Sequence, residues 1–255
     1  MSRALIITYH AIEAGPPPLY VHPELFQLHV QSVLSEGARV LNVSALVQEL
    51  AQPTGTERLV ALTFDDGFSS VARNAAPILS SYGVSATVFC VAGHVGGRND
   101  WPTDRPGGRV STLVSEAEIG QLVSAGIEIG SHGFSHLPFP EARGEQLRRE
   151  VCGSREFLEQ LTGTEVRTLA YPYGALPDVE ARRLVSKEYE AACTTRVASV
   201  GDHVDRHALP RVDAHYLRRP ELLRRAVAGS LESYLLLRRL GSRARRTIRK
   251  DYVAA

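Results

Sequence analysis

The sequence predicts one α/β domain built around parallel strands. Short apolar runs alternate with amphipathic stretches along most of the chain, as in strands joined by crossover helices. The 255 residues are enough for one large core, and an apolar content of 44% is ordinary for a globular protein. No stretch is rich enough in proline, glycine or serine to separate two domains. One continuous α/β fold is therefore expected.

The predicted elements alternate from residue 59 onward. The hydrophobic run 59–64 ends in polar residues, which indicates a buried strand. The helix that follows, 69–82, is stopped by Gly83, a residue type that commonly follows a helix. A long amphipathic helix is predicted at 141–161. The remaining strands are predicted at 85–91, 127–129, 168–171 and 191–195, and the remaining helices at 115–125 and 177–189.

Composition argues against several other classes of protein. The three cysteines, Cys90, Cys152 and Cys193, have no paired spacing, so neither a disulfide framework nor a cysteine metal cluster is expected. No run approaches the roughly 20 apolar residues that span a bilayer. The chain enters its first strand without an apolar segment of secretory-signal length, so a cytoplasmic location is predicted. The formal net charge of +1 says little about partners.

Two adjacent carboxylates, Asp65 and Asp66, follow the strand 59–64 and precede Gly67. Successive side chains of a strand point to opposite faces, but a chain that turns into a loop can bring both into one cleft. There, one carboxylate can bind a cation while the other transfers a proton. The alternative is an Asp-Asp-Gly turn that only closes the strand.

Two histidines, His132 and His136, follow the apolar piece 127–130. If residues 132–136 form a helical turn, these side chains lie on one face and can share a cation. With Asp66 they make a triad that leaves coordination positions open, as catalytic metal sites do. Both motifs end predicted strands, and the carboxyl ends of parallel strands gather at one face. Together the two motifs favour a metal site over a simple turn.

These motifs resemble those of the NodB-homology polysaccharide deacetylases, carbohydrate esterase family 4. The resemblance extends over about residues 4–212. Residues 63–67 look like the family's first motif, residues 132–136 look like its second, and residues 170–174 are similar to its third. The resemblance implies an irregular (β/α)7-type barrel. Members of the family remove N- or O-acetyl groups from carbohydrates with a divalent metal, usually zinc. The catalytic domain is accordingly predicted over residues 1–237.

Two departures from the common family pattern point to one branch of it. Ala170 stands where the third motif usually has arginine, and the usual late histidine motif has an early counterpart that ends in Tyr9-His10. This order resembles the poly-N-acetylglucosamine deacetylases, in which a Leu-Pro-Arg segment is also common. Residues 209–211 match that segment. By this resemblance, Arg211 is hypothesised to replace the missing arginine and to orient the catalytic base.

The metal is assigned to Asp66, His132 and His136. Two nitrogen ligands favour Zn²⁺, with Co²⁺, Ni²⁺ and Mn²⁺ as alternatives. A cation held there would polarise the acetyl carbonyl and lower the pKa of a bound water. Asp65, one residue from a ligand and ionised at neutral pH, is the expected general base.

Tyr173 and His10 complete the predicted catalytic residues. By resemblance, the backbone N–H of Tyr173 stabilises the oxyanion, and His10 protonates the leaving amine. His215 lies near the place where the commoner family members carry their acid, and it is the alternative. His10 is favoured because it directly closes a hydrophobic strand segment. Surface or capping roles are predicted for the remaining histidines outside the metal triad, His22, His29, His94, His203 and His207.

Three functions are compatible with these residues. The first is a carbohydrate N-deacetylase that releases acetate from an amino sugar, a glycan or a glycolipid. The second is a related deformylase or non-sugar amidase, since surrounding loops set the substrate. The third, a non-catalytic carbohydrate-binding relative, is disfavoured because Asp65 would then have no role. Trp101, the only tryptophan, lies in the irregular segment 93–110 and either stacks on a sugar or anchors the loop.

The segment 238–255 is predicted to form a basic C-terminal tail. Between Arg238 and Lys250 there are seven basic residues and no acidic ones, after an apolar run at 234–237. The tail is either the frayed end of a final helix or an attachment to an anionic membrane surface. Attachment would place a cytoplasmic enzyme at the membrane periphery. Nucleic-acid binding is not predicted, because aromatic residues are not interleaved with the charges.

Overall fold

The structure is a computed structural model that describes residues 2–52, 57–101, 109–201, 203–238 and 240 of the chain. Strands and helices alternate along most of it. The strands are β1 (Ser2–Tyr9), β2 (Arg39–Leu41), β3 (Leu59–Phe64), β4 (Thr87–Cys90), β5 (Glu128–Ser131), β6 (Thr168–Ala170), β7 (Ala191–Cys193), β8 (Val200–Gly201) and β9 (Val212–Asp213). The α-helices are α1 (Pro23–Ser35), α2 (Val43–Leu50), α3 (Ala76–Ser81), α4 (Glu116–Ser124), α5 (Gly144–Arg148), α6 (Ser154–Thr162), α7 (Val179–Glu188) and α8 (Pro220–Val227).

The sheet curls into an irregular barrel. Its parallel strands follow the order β7-β6-β5-β4-β3-β1, and β9 pairs parallel with β1 on the far side. A bridge between Cys193 and Leu209 joins the two edges, with Leu209 N–H donating to the carbonyl oxygen of Ala192 at 2.9 Å. Short strands β2 and β8 are additions that pair with β3 and β1. The predicted α/β class and the irregular seven-stranded barrel are confirmed.

Side-chain alternation along β1 and β3 decides what lies inside the barrel. The even-numbered residues of β1 and the odd-numbered residues of β3 point inward, and those of opposite phase pack against the helices. Apolar side chains fill the half of this interior that is nearer the amino-terminal ends of β1 and β3: Ala4, Ile6, Leu59 and Ala61. The inward phase continues to Thr8 and Thr63, whose hydroxyl oxygens are 3.2 Å apart. One step further it reaches positions 10 and 65, where polar chemistry replaces the core.

Two parts of the sequence prediction differ from the structure. The predicted helix 141–161 begins only at α5, because Gly144 has a left-handed φ of 51° that separates it from the preceding 3₁₀ turn. It then continues through a π-helical turn, Arg149–Gly153, into α6. The elements α1, β2 and α2 were not predicted. On α1, the buried polar residues His29 and Ser32 interrupt the apolar stripe.

The described helices share one further property. None of them has both the length and the apolar character needed to cross a membrane.

Candidate active site

Three strands bring the candidate residues to one rim of the barrel. His10 follows β1, Asp65 and Asp66 follow β3, and residues 132–136 follow β5. The chain of pairings β1-β3-β4-β5 is parallel throughout, so the carboxyl ends lie on the same side. The structure therefore brings together two motifs that are far apart in the sequence, with 66 positions between Asp66 and His132.

Asp66, His132 and His136 converge in a buried cluster. The Oδ1 atom of Asp66 lies 3.4 Å from Nε2 of His132 and 3.3 Å from Nε2 of His136. The three donor atoms all lie within 4.8 Å of one another. Burial acts to raise the pKa of Asp66, but hydrogen bonds with the two imidazoles hold it well below its ordinary value. Two imidazole nitrogens and one anionic carboxylate at this spacing fit a divalent metal.

A backbone contact orients the ring of His132. Its Nδ1 donates a hydrogen bond to the carbonyl oxygen of Ala170 at 2.7 Å, which leaves Nε2 facing Asp66. Burial lowers the pKa of His132, but the hydrogen bond with Asp66 and the charge of Asp65 outweigh it, so the pKa is raised. A histidine anchored through one nitrogen presents the other as a metal ligand of fixed direction.

The loop that carries the two histidines is not the helical turn that the sequence predicted. Residues 132–138 form no helix, and Gly133 has a left-handed φ of 79°. The buried carboxylate of Glu150 shapes the loop instead, because its Oε2 accepts hydrogen bonds from the N–H groups of Phe134 at 2.8 Å and Ser135 at 3.0 Å. A Cβ atom on Gly133 would lie 2.9 Å from that same oxygen. Glycine and a buried acid, not helical periodicity, bring His132 and His136 together.

Backbone strain is concentrated at this site. Among the residues that the structure describes, three that are not glycine have a left-handed φ: Asp66 at 69°, His136 at 60° and Tyr173 at 58°. Each such residue costs about 1–3 kcal/mol and persists only where its surroundings enforce it. At Asp66 the reason is visible, because strand alternation alone would direct its side chain away from the cleft that Asp65 enters. The left-handed turn brings the second carboxylate into the same cleft.

Asp65 forms a bidentate ion pair with Arg211. The two terminal nitrogens of the guanidinium donate to separate carboxylate oxygens at 2.7 Å each. Arg211 is itself fixed by donating to the carbonyl oxygen of Thr194 at 3.0 Å and to the hydroxyl oxygen of Thr63 at 3.2 Å. Burial raises the pKa of Asp65, but the charge and hydrogen bonds of Arg211 overcome this and hold the pKa below its usual value. Arg211 thus makes the contact with Asp65 that was hypothesised for it.

The two candidates for the general acid both follow strands at this rim, His10 after β1 and His215 after β9. The charge of His10 acts on Asp65, Asp66 and Asp213 and lowers the pKa of each carboxyl group, against the stronger opposing influence of burial. His215 is exposed, and its backbone N–H donates a hydrogen bond to Asp213 at 2.7 Å, where its charge also lowers the pKa of that carboxyl group against the larger effect of burial. The charge of His10 thus acts on both carboxylates of the cleft, and its role as the general acid stays a prediction.

Tyr173 occupies a 3₁₀ turn, Pro172–Gly174, that follows β6. Its ring centroid is 4.6 Å from that of His136. Gly174 must be glycine, because a Cβ atom there would lie 2.1 Å from the hydroxyl oxygen of Thr195 and its φ is 62°. The turn thus places the ring of Tyr173 beside a candidate metal ligand, and the role of its backbone N–H as oxyanion donor stays a prediction from the resemblance.

Trp101 does not face the cleft as a platform for a sugar. Only 4% of its surface is exposed, and its ring centroid lies 4.4 Å from that of His136 in a stacked arrangement with an interplanar angle of 30°. The ring of His94 meets the indole edge-on at 4.7 Å. Of the two roles predicted for Trp101, the structure shows packing. Residues 102–108 of the same segment lie outside the described part of the chain.

Several residues at the site were missed in the sequence. Glu150 lies within a helical segment where nothing distinguishes a buried acid from an exposed one. Asp213 ends β9, two residues after Arg211, and side-chain alternation along an extended chain was the available signal for a second polar group at the rim. Surface or capping roles were predicted for His94 and His29. His94 instead packs against Trp101, and His29 lies on the buried face of α1.

Comparison with known proteins agrees with this geometry. The sequence model of the polysaccharide deacetylase family matches residues 52–192, more than half of the chain. YxkH of Bacillus subtilis, named as a polysaccharide deacetylase, is 24% identical over 210 residues, which cover 81% of this chain and 70% of that protein. The poly-beta-1,6-N-acetyl-D-glucosamine N-deacetylase of Staphylococcus epidermidis is 21% identical over 196 residues, 73% of this chain and 65% of that enzyme.

The fold is also that of solved deacetylase structures. Streptococcus pyogenes deacetylase PplD, solved in complex with acetate, superposes with a TM-score of 0.74 at 22% identity, covering 86% of this chain and 96% of that one. The family match includes both aspartates and both histidines of the rim as well as Tyr173, but it begins after His10 and ends before Arg211. Members of the family are metal-dependent, and the triad described above fits a metal. With the family's motifs assembled at one rim of the family's barrel, and a sequence match over more than half of its length, this chain belongs to the polysaccharide deacetylase family.

Proposed function

We propose that this protein is a metal-dependent hydrolase that removes the N-acetyl group from an amino sugar, free or within a glycan or glycolipid, and releases acetate. One observation carries the proposal: a buried triad with the donors of a metal site lies beside a second carboxylate that an arginine keeps ionised. Family membership and the N-deacetylase activity in the name of the S. epidermidis relative support the same reaction.

Asp66, His132 and His136 would hold the metal. When bound, a divalent cation supplies Lewis-acid activation of the acetyl carbonyl and lowers the pKa of water. Two nitrogen donors and one oxygen donor favour zinc, with cobalt, nickel and manganese as alternatives. The chain contributes the fixed direction of these donors, through the anchored ring of His132 and the left-handed backbone of Asp66 and His136.

Asp65 is the general base that takes a proton from the attacking water. It is ionised at neutral pH because Arg211 lowers its pKa, and the ionised carboxylate can accept the proton. The bidentate contact also fixes the plane of the carboxylate, which leaves less orientation to be lost when substrate binds. Arg211 is in this view a positioning residue for the base.

His10 donates the proton that the leaving nitrogen needs, because a free amide anion is a very poor leaving group. Asp213, at the end of the neighbouring strand β9, lies at the same rim. The N–H of Tyr173 donates to the oxygen that becomes negative when water adds to the acetyl carbon. The C–N bond then breaks, the nitrogen leaves with the proton from His10, and acetate and a free amine are the products.

A product screen tests the proposal. The purified protein is incubated with one equivalent of Zn²⁺ and with N-acetylated amino sugars that are free, polymeric, nucleotide-linked or lipid-linked, and acetate is assayed. We expect acetate release that a chelator abolishes and added metal restores. Asp65→Asn should be inactive, whereas Glu145→Gln, which changes an exposed acid on α5, should keep wild-type activity. Formate release from an N-formylated amine, with no acetate from the N-acetylated sugars, would assign a deformylase. Metal-free sugar binding without hydrolysis would assign a binding protein.

We also propose that the enzyme is peripheral to an anionic membrane on the cytoplasmic side. Leu236, Leu237 and Leu240 are each more than half exposed. The first two precede the basic tail 238–255 and the third lies within it, while residues 239 and 241–255 lie outside the described part of the chain. Apolar insertion and basic charge together are the combination that binds peripheral proteins to anionic lipid. The double change Leu236→Asp and Leu237→Asp should reduce co-sedimentation with phosphatidylglycerol vesicles, while Leu28→Asp, an exposed leucine on α1, should not. Sedimentation independent of anionic lipid would contradict this.

A further inference from the structure

Trp101 is buried against the candidate metal triad without belonging to it. It is the only tryptophan of the chain, and 4% of its surface is exposed. Its indole stacks on the imidazole of His136, with ring centroids 4.4 Å apart and an angle of 30° between the planes. An indole has no lone pair for a metal, and one so deeply buried has no face available to a sugar. Trp101 can therefore affect the metal site through its contact with His136.

Contacts outside the triad hold Trp101 in place. Two residues before it, the N–H of Asn99 donates to the carbonyl oxygen of Ser111 at 3.2 Å, and Oδ1 of Asn99 accepts from the N–H of Ser111 at 2.6 Å. The ring of His94 adds an edge-on contact to the indole at 4.7 Å and 75°. The indole is therefore positioned by its own loop, and it can impose an orientation on His136.

His136 is a ligand that needs such support. Its left-handed φ of 60° is one of the strained backbone positions of the site. Its Nε2 must point at the position shared with Asp66, 3.3 Å away. A stacked indole restricts rotation of the imidazole about its side-chain bonds. Because a bound cation withdraws electrons from the imidazole, the electron-rich face of tryptophan also attracts the metal-bound ring more strongly than the metal-free ring.

We propose that Trp101 is a positioning residue for the metal: it fixes the ring plane of His136 and stabilises the metal-bound form in preference to the metal-free form. This inference rests on the proposed metal-dependent function and adds to it a residue that raises metal affinity. Stacked aromatic and cation–π contacts of this kind are worth roughly a two- to tenfold change in an equilibrium constant. Loss of the indole should therefore weaken metal binding by about two- to tenfold.

The single tryptophan reports directly on this contact. The full chain, stripped of metal by a chelator, is titrated with Co²⁺ while tryptophan emission is recorded. We expect quenching that reaches its limit at one equivalent and is reversed when Zn²⁺ displaces Co²⁺, because all of the emission comes from a ring stacked on a ligand. Stoichiometric Co²⁺ binding, measured by dialysis, with unchanged emission would overturn the proposal.

The contribution of Trp101 to Zn²⁺ affinity is measured by comparing variants in competition with a chelating dye. Trp101→Ala should bind Zn²⁺ about two- to tenfold more weakly, and Trp101→Phe should recover most of the loss because it restores an aromatic face. Tyr82→Ala, which removes a partly buried aromatic ring at the carboxyl end of α3, should bind as the wild type does. If Trp101→Ala does not fold, Trp101→Phe and Trp101→Leu give the same comparison with and without a π face.

The outcomes separate this inference from the proposed function. Wild-type protein that binds no divalent metal would overturn both. Wild-type protein that binds Zn²⁺, with unchanged affinity in folded Trp101→Ala or Trp101→Leu, would overturn only the role of Trp101. Weaker binding that Trp101→Phe also fails to recover would indicate a packing role rather than a stacking role, and it would overturn the proposal as stated.

Discussion

Replacing Arg211 by methionine removes one half of the buried ion pair that holds the general base. Two hydrogen bonds of 2.7 Å join the partners, whose side chains are 1% and 4% exposed. Removing one partner of such a pair leaves a charge that neither water nor protein satisfies, which typically costs about 3–5 kcal/mol. We therefore expect Arg211→Met to lower the free energy of unfolding at pH 7 by about 3–5 kcal/mol, a large part of the ~5–15 kcal/mol of an ordinary domain.

The pH dependence of Arg211→Met follows from the remaining influences on Asp65. Burial then dominates and raises the pKa of Asp65, whereas in the wild type Arg211 holds it below the ordinary value. The variant should therefore lose activity at neutral pH, where more of its base is protonated, and recover some as the pH rises. The loss of unfolding free energy caused by the substitution should follow the opposite trend. It should become smaller as the pH falls and Asp65 becomes neutral. In the wild type, the depressed pKa of Asp65 contributes stability above its unfolded pKa, and this is lost as pH falls through the folded value.

Urea unfolding at several pH values and pH–rate profiles of acetate release measure these two effects. Adding Asp65→Asn to Arg211→Met removes the unpaired charge, so the double variant should regain much of the lost stability and remain inactive. Arg182→Met is the matched control, since it breaks an exposed ion pair with Asp205 and should change stability by less than about 0.5 kcal/mol. A loss below about 1 kcal/mol in Arg211→Met, together with an unchanged pH–rate profile, would refute the reasoning.

Three further predictions concern other parts of the fold. Burial lowers the pKa of His29 from 6.5 to about 4, so the unfolded chain binds a proton that the folded chain rejects. About 3 kcal/mol of stability should be lost as the pH falls from 6.5 toward 4. Urea unfolding of His29→Gln should lack this slope, and His22→Gln, at an exposed site, should keep it. Gly133→Ala, with a φ of 79° and a Cβ 2.9 Å from a buried carboxylate oxygen, should lose about 1–3 kcal/mol in thermal unfolding and bind Zn²⁺ more weakly, and wild-type values for both would contradict the account of the loop. His10→Ala should lower kcat about 10²- to 10⁴-fold while His215→Ala keeps most activity, and the reverse result would assign the acid to His215.

The sequence predicts which side chains converge at the metal triad, but not the local structure that brings them together. Asp66, His132 and His136 could be selected because each motif ends a strand and parallel strands share an exit face. The four-residue spacing suggested a helical turn, whereas the structure uses a glycine with positive φ and a buried acid, Glu150. Helical and looped arrangements can bring the same two rings together, so spacing alone does not distinguish them.

The contacts of the residues that support the site could not be predicted from the sequence, because their partners are distant along the chain. Arg211 is 146 positions from Asp65, and only the family resemblance suggested their contact. Trp101 could be identified as unusual by being the only tryptophan, but whether it faced a sugar or the core depended on where its loop lies relative to His136. Local patterns determine which residues end strands. Contacts between loops determine what each of those residues touches.

Direct pairing of β1 with β3 explains how an acid near the start of the chain can serve a base that follows β3, and closure of the barrel adds β9 on the other side of β1. In the sheet, Ile7 pairs with Val212 and Thr8 with Asp213, so the first strand and the last parallel strand are neighbours. The rim position after β1, held by His10, therefore adjoins the end of β9 at Asp213, and Arg211 directly precedes that strand. In a ring, a catalytic group needs the right place around the circumference and not a particular place in the sequence. An early Tyr-His motif and a late histidine motif are then two chain orders for the same geometry, which is why the general acid should be sought at His10.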